Sequence, residues 1–261
     1  MVTPLSDVDR EVLEHVLRYR LTTSLILDGS ETLETEGEVA ARDTLHRLEK
    51  DGWLCSAELY PGHSSEKYWH LSVQAAKELE QDAVVGLPLK RDMRIECFAI
   101  ATFCCCGEQS HRLMTKQEFQ KNYSRLWYPG QPVKYYLHKH EDGARLAYLK
   151  VDTGGTGQWG RLIDNCDSFL QKRIDSKAVS EEHRAKSKEF RDLVATGRFQ
   201  FSILTSLVEK KRAIHLELDR RKLSGKTVPP IQVFVVPGLF EVVFPAPAPQ
   251  IELPNSQSGK K

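Results

Sequence analysis

The chain has 261 residues, 40% of them hydrophobic and 28% charged, with a net charge of +1. That length suits two domains of ordinary size, and no apolar run approaches the roughly 18 residues of a membrane-spanning helix. The acidic start lacks an apolar export region, so a cytoplasmic protein with six reduced cysteines and no membrane partner is expected. In chain order, a first helix is expected over residues 7–19, capped by Ser6 with Asp9 three residues on, and with Val8, Val12, Val16 and Tyr19 as its stripe. Residues 21–27 read as a short second helix and 31–37 as an acidic loop. A third helix runs over 38–51 and stops at Gly52; Ala41, Leu45 and Leu48 fall at i, i+4 and i+7 and share its buried face. Residues 53–60 read as a strand, 61–65 as a turn and 67–71 as the returning strand, after which Ser72 opens an Ala-rich helix to residue 80. This is the sequence shape of a winged helix-turn-helix, assigned to residues 1–81.

Gly86, Pro88 and a shift from acid to base mark residues 82–92 as a linker. The second domain, 93–244, opens with an apolar run over 94–103 that reads as a strand. Thr115 and Glu118 form a capping box for a helix to 127. Strands follow at 133–138 and 145–151, joined by the turn residues Glu141-Asp-Gly143. Helices over 159–174 and 180–196, a strand at 199–204, a helix over 206–223 opened by Ser206 and Glu209, and a strand at 231–236 complete it. The late strand, helix, strand spacing predicts parallel pairing with helices on the sheet faces, an α/β core. Residues 245–261 lack apolar periodicity and read as a disordered tail.

The charge is divided unevenly. Residues 1–80 hold 8 Lys or Arg against 16 Asp or Glu, and the other 181 residues hold 29 against 20. Phosphate contacts supply most non-specific DNA affinity and need cations, so DNA affinity is expected mainly in the second domain. On the winged helix the candidates are Arg42, His46, Arg47 and Lys50 of the third helix with His63 and Lys67 of the wing, although Glu38 and Asp43 lie near the helix entrance. On the late helix they are Lys210, Lys211, Arg212, Arg220, Arg221 and Lys222, weighed against an idle solvated face. A nuclease needs acids at adjacent strand ends to hold Mg²⁺; the hairpin with Glu141, Asp142 and Asp152, and Glu118 as a third acid, is the only candidate place, weighed against plain turn and capping roles. Cys104, Cys105 and Cys106 with His111 are spaced poorly for zinc, and His138 with His140 lacks a third ligand, so no metal is expected there.

Three stretches together resemble the replication–relaxation family of mobile-element proteins. They are His46-Arg-Leu-Glu-Lys-Asp-Gly-Trp-Leu54 with Tyr68-Trp-His-Leu-Ser72, then Leu146-Ala-Tyr-Leu-Lys-Val-Asp-Thr-Gly154, then Phe199-Gln-Phe-Ser-Ile-Leu-Thr-Ser206 with Arg212 six residues on. The resemblance implies a winged helix followed by a restriction-endonuclease-like domain. The second stretch resembles a strand ending in Glu-x-Asp-x-Gly; Asp152 matches the second acid, but Lys150 stands at the family's Glu and would repel a metal. The expectation is a cytoplasmic, non-catalytic protein that binds double-stranded DNA for replication or mobilisation and needs no cofactor. A second replication or mobilisation protein, or a second copy of the chain, is the expected further partner. The alternatives are a Mg²⁺-dependent nuclease using Asp142 and Asp152, and an adaptor whose acidic winged helix docks a basic protein.

Overall fold

The first helix, α1 (Asp7–Tyr19), starts where Ser6 accepts from the Asp9 amide and Asp9 accepts from the Ser6 amide. The computed structural model describes residues 5–30, 37–60, 63–107, 109–128, 132–140, 143–153, 159–174 and 181–244. Val12, Leu13, Val16 and Tyr19 of α1 are buried, whereas Val8, expected in that stripe, is half exposed. Residues 21 and 22 are not helical: Thr22 forms an isolated antiparallel bridge to Trp69, with N–H to O distances of 2.9 and 2.8 Å. Helix α2 (Ser24–Asp28) therefore begins later than expected, capped by the Thr23 hydroxyl. Helix α3 (Glu38–Lys50) buries Ala41, Leu45 and Leu48 completely.

Strands β1 (Leu54–Tyr60) and β2 (His63–Leu71) form an antiparallel ribbon that pairs Leu54 with Leu71 and Glu58 with Lys67. Helix α4 (Val73–Glu78) follows, capped by Ser72. Within the expected linker, residues 83–86 form a 3-10 turn packed on α4. Gly86 is required there, because a Cβ would lie 2.5 Å from the Val73 amide nitrogen.

The largest departure from expectation is residues 91–105. They form one helix, α5 (Arg91–Cys105), not a strand. Ile95, Phe98, Ala99, Ile100, Ala101, Phe103 and Cys104 are all buried, so α5 has no polar face over its second half. A helix enclosed on all sides loses the stripe that marks a helix in sequence, and an apolar run is then ambiguous.

Helix α6 (Lys116–Asn122) carries the expected Thr115–Glu118 capping box but ends five residues early, in a 3-10 turn at 124–126. Strands β3 (Tyr135–His140), β4 (Gly143–Val151), β5 (Phe199–Thr205) and β6 (Ile231–Val235) form a four-stranded sheet in the order β3-β4-β5-β6. The β3–β4 pair is antiparallel and the other two are parallel, as the late strand spacing predicts. Helices α7 (Trp159–Ile174), α8 (Glu181–Ala195) and α9 (Val208–Leu223) cover one face. Helix α5 and a short α10 (Leu239–Val243), absent from the sequence reading, serve the other. The protein is thus mixed α+β with a mixed sheet. The expected cap of α9 is not formed: Leu207 occupies the N-cap, and the Ser206 hydroxyl is buried without a partner. The expected tail, 245–261, lies outside the described residues.

Each half has a buried cluster of its own, and a third cluster spans both. One buried cluster joins Tyr19, Ile26, Leu59 and Tyr68 through α5 to Ala147, Leu149, Leu204 and Leu239. The Tyr68 hydroxyl also accepts from the Leu89 amide at 3.1 Å. Arg18 on α1 donates twice to Glu118 on α6, at 2.7 and 3.1 Å. Ile95 is fully buried in the shared cluster, so Ile95→Ala is expected to destabilise by about 2–5 kcal/mol. Hydrogen exchange should show protection falling together in β1–β2 and in β4–β5. A loss confined to one half would contradict the shared core.

Candidate functional site

The carboxyl ends of β4 and β5 carry a buried ion pair. Asp152 follows β4 directly and its side chain is 11% exposed. Its Oδ2 accepts from Lys210 Nζ at 3.0 Å and from the Thr205 hydroxyl at 3.2 Å. Lys210 comes from the first turns of α9 and its side chain is 1% exposed. Thr205 ends β5, and the unpartnered Ser206 hydroxyl follows it. Strand ends of this kind are where open α/β sheets hold ligands. Here the place is taken by the chain's own ammonium group, which neutralises the carboxylate.

The expected nuclease set is not brought together. Glu118 sits far along the chain in a separate network. It accepts from Arg18, from the Thr115 amide and from Arg112 at 2.8 Å, and these partners hold its pKa down to about 2 despite partial burial. Asp142 lies outside the described residues. Lys150 lines a shallow cleft with Lys90, Arg91 and Glu96 at the start of α5. Among the described residues, no group of three or more His, Cys, Asp or Glu side chains could hold a metal ion. Cys104 and Cys105 end α5, with burial pushing their thiol pKa values up, and no strand end exists there.

The late basic face is largely committed to internal ion pairs, which corrects the expectation for α9. Lys210 is buried against Asp152. Arg221 is buried too, donating to Glu217 at 2.8 Å and to the Gly160 carbonyl at 3.1 Å, and pairing with Asp164 at 2.8 Å. Neither side chain is open to a phosphate. Arg220 takes both Glu217 oxygens at 2.7 Å, and these arginine contacts bring the Glu217 carboxyl down to about 2. Lys222 lies 3.6 Å from Asp219. Arg212 is exposed and forms no ion pair among the described residues, and Lys211 faces a cleft beside β6. The i, i+3 and i, i+4 acids Glu217 and Asp219 were readable in the sequence as partners of this basic cluster.

On α3, Arg42 pairs with Glu38 at 2.8 Å in the open, and Arg47 reaches the buried Asp9 at 2.5 Å. His46 lies 3.5 Å from Glu49 and meets the edge of Trp69. Glu49 in turn accepts from Ser56 and from Trp69 Nε1, at 2.6 and 3.0 Å, which locks the ribbon to α3. Lys50 and Lys67 are exposed. The side chain of His63 is outside the described set.

Sequence reasoning missed a cationic surface on the α6–α8 side. Lys116, Lys121, Lys172, Arg184 and Lys188 are exposed and form no ion pair among the described residues. Arg173 and Lys186 lie over the Tyr128 ring at 4.5 and 5.0 Å. The signal was present as scattered basic residues, but it sat beside equal numbers of acids within α8. No helix among the described residues is long and apolar enough to cross a membrane. In comparisons with known proteins, no family model, no curated protein and no solved structure matches the chain.

Lys210→Ala removes the ammonium partner of the buried Asp152 carboxylate, so urea unfolding should show a loss of roughly 3–5 kcal/mol. Replacing both partners, Asp152→Leu with Lys210→Met, should recover most of it, while Arg212→Ala stays within about 0.5 kcal/mol of the parent. A Lys210→Ala protein as stable as the parent would contradict the structural role.

A second expectation concerns acid. Glu118 titrates near 2 when folded and at the ordinary 4.5 when unfolded. Its contribution is therefore present above 4.5 and lost as pH falls toward 2. Glu118→Gln should flatten the pH dependence of stability in that window; an unchanged slope would show the Arg18 contact to be idle.

Proposed function

We propose that the protein is a non-catalytic DNA-binding accessory factor of a plasmid or other mobile element, built from an N-terminal winged helix-turn-helix and a restriction-endonuclease-like second unit. The Thr22–Trp69 bridge is the observation that carries this reading. It fastens the chain between α1 and α2 to the returning ribbon strand. Helix α3 is then packed on one side and open on the other, with the ribbon at its flank. A recognition helix needs that arrangement to enter a major groove. The open side carries Val39, Arg42, Asp43, His46 and Lys50. Exposed pairs such as Arg42–Glu38 are weak, so Arg42 can exchange its partner for a phosphate.

The bulk of the phosphate affinity is assigned to the α6–α8 cations, because Lys210, Arg220, Arg221 and Lys222 of α9 are already paired with acids. A sheet of parallel β4, β5 and β6 with Asp152 at a strand end is consistent with a nuclease-like scaffold. A divalent ion at Asp152 would have to displace the Lys210 ammonium, which supports binding without cleavage. The resemblance to the replication–relaxation proteins supplies the setting of replication or mobilisation in the cytoplasm. A second copy of the chain or another replication or mobilisation protein is the proposed further partner.

Fluorescence anisotropy of the full chain on duplex DNA, repeated across salt concentrations, tests this. Lys121→Ala with Lys188→Ala should flatten the slope of log affinity against log salt by about two, near 0.9 for each lost phosphate contact. Arg220→Ala with Lys222→Ala should leave the slope unchanged, and supercoiled plasmid with Mg²⁺ should remain uncut. The opposite pattern of slopes would move the interface to α9. Nicking abolished by Asp152→Asn would restore the nuclease reading, and no binding at low salt would remove DNA altogether.

A further inference from the structure

The outer edge of β6 is a row of main-chain groups lying along a cleft. The Phe201 amide donates to the Pro230 carbonyl at 2.7 Å, and the Val236 amide donates to the Thr205 carbonyl at 2.9 Å. In a parallel ladder the bonding side alternates with each residue. Gln232 and Phe234 therefore bond toward β5, and the N–H and C=O groups of Ile231, Val233 and Val235 point away from it. Among the described residues no strand pairs with that outer edge. Its sequence, Ile-Gln-Val-Phe-Val, contains no Lys, Pro or other device that blunts natural sheet edges.

The cleft along this edge has a volume of about 720 Å³. Phe103 of α5 and His111, both packed against Tyr136 of β3, form one wall with His138 of β3, and Lys211 and His215 of α9 form the other. None of the described residues lining it is acidic. Thr102, 4% exposed, also lines it, and its hydroxyl has no hydrogen-bond partner. Burial lowers the pKa of His111 to about 4, and Lys211 brings a cationic side chain to the cleft. Main-chain donors and acceptors at strand spacing are matched by another strand's main chain better than by a compact small molecule. The five residues of β6 offer about 16 Å of edge at roughly 3.3 Å each.

We propose that this cleft takes an acidic segment of a partner protein in extended conformation, added as an outer strand beside β6. Main-chain hydrogen bonds would hold it, and alternate side chains would face the histidine wall and the Lys211–His215 wall. The proposal stands independently of DNA binding, and it uses a cation, Lys211, that points into the cleft.

The test titrates the full chain, without DNA, with three short labelled peptides. One alternates Glu with Val, the second has Lys in place of Glu, and the third is the Glu peptide N-methylated along one hydrogen-bonding edge. The first should bind, the second should bind about tenfold or more weakly, and methylation should abolish binding. Lys211→Glu with His215→Glu, both on solvent-accessible side chains, should weaken the first peptide by about tenfold or more, through like-charge repulsion. Equal binding of the acidic and basic peptides would overturn the charge argument. Binding that survives N-methylation would overturn strand addition. No binding of the acidic peptide at millimolar concentration would overturn the proposal as a whole. Because no DNA is present, none of these failures bears on the DNA-binding reading.

Discussion

The enclosure of α5 is the constraint on which the rest of this structure depends. Its apolar side chains meet the helical N-terminal half on one side and the open face of the β3–β6 sheet on the other. Burying a side chain such as Ile95 or Phe98 contributes on the order of 1.5–3 kcal/mol, and α5 buries several at once. Neither half could expose this surface without a large loss. The α1–β2 half therefore has a fixed seat on the sheet, strengthened by the Arg18–Glu118 contact and by the Tyr68 hydroxyl on Leu89. A DNA-reading α3 and the cationic α6–α8 surface would consequently act from one body.

The second constraint is electrostatic. A count of charges suggests a strongly basic second half, but much of that charge is already neutralised. Asp152 holds Lys210, while Glu217, Asp164 and Asp167 surround Arg221. What remains for a polyanion is decided by pairing and burial, which net charge does not report. The same accounting explains the strand end: a carboxylate positioned as a ligand, with a buried lysine beside it, is a neutral structural unit.

Elements whose stabilising pattern is local were legible in the sequence. The Ser6–Asp9 and Thr115–Glu118 capping boxes, the Ala41–Leu45–Leu48 stripe, the β3–β4 hairpin and the parallel pairing of β5 with β6 all follow from short-range rules. The failures have a common cause in tertiary context. Helix α5 lost its periodicity because it is buried all round. The expected cap of α9 failed because Ser206 is drawn into the buried strand end. The basic cluster misled because Lys210 and Arg221 turn inward to acids that are 58 and 57 residues distant in the chain, at Asp152 and Asp164. Thr22, read as helix, was claimed by Trp69 across the ribbon.

Hydrogen exchange of the full chain with and without duplex DNA at low salt tests the central claim most directly. The proposal is that one rigid body contacts DNA through the open side of α3 and the α6–α8 surface, while Lys210, Arg220, Arg221 and Lys222 of α9 serve the fold. Added protection should appear in Glu38–Lys50 and Glu181–Ala195, with the amides around Arg220–Lys222 unchanged. Protection confined to α9, or none in α3, would contradict it.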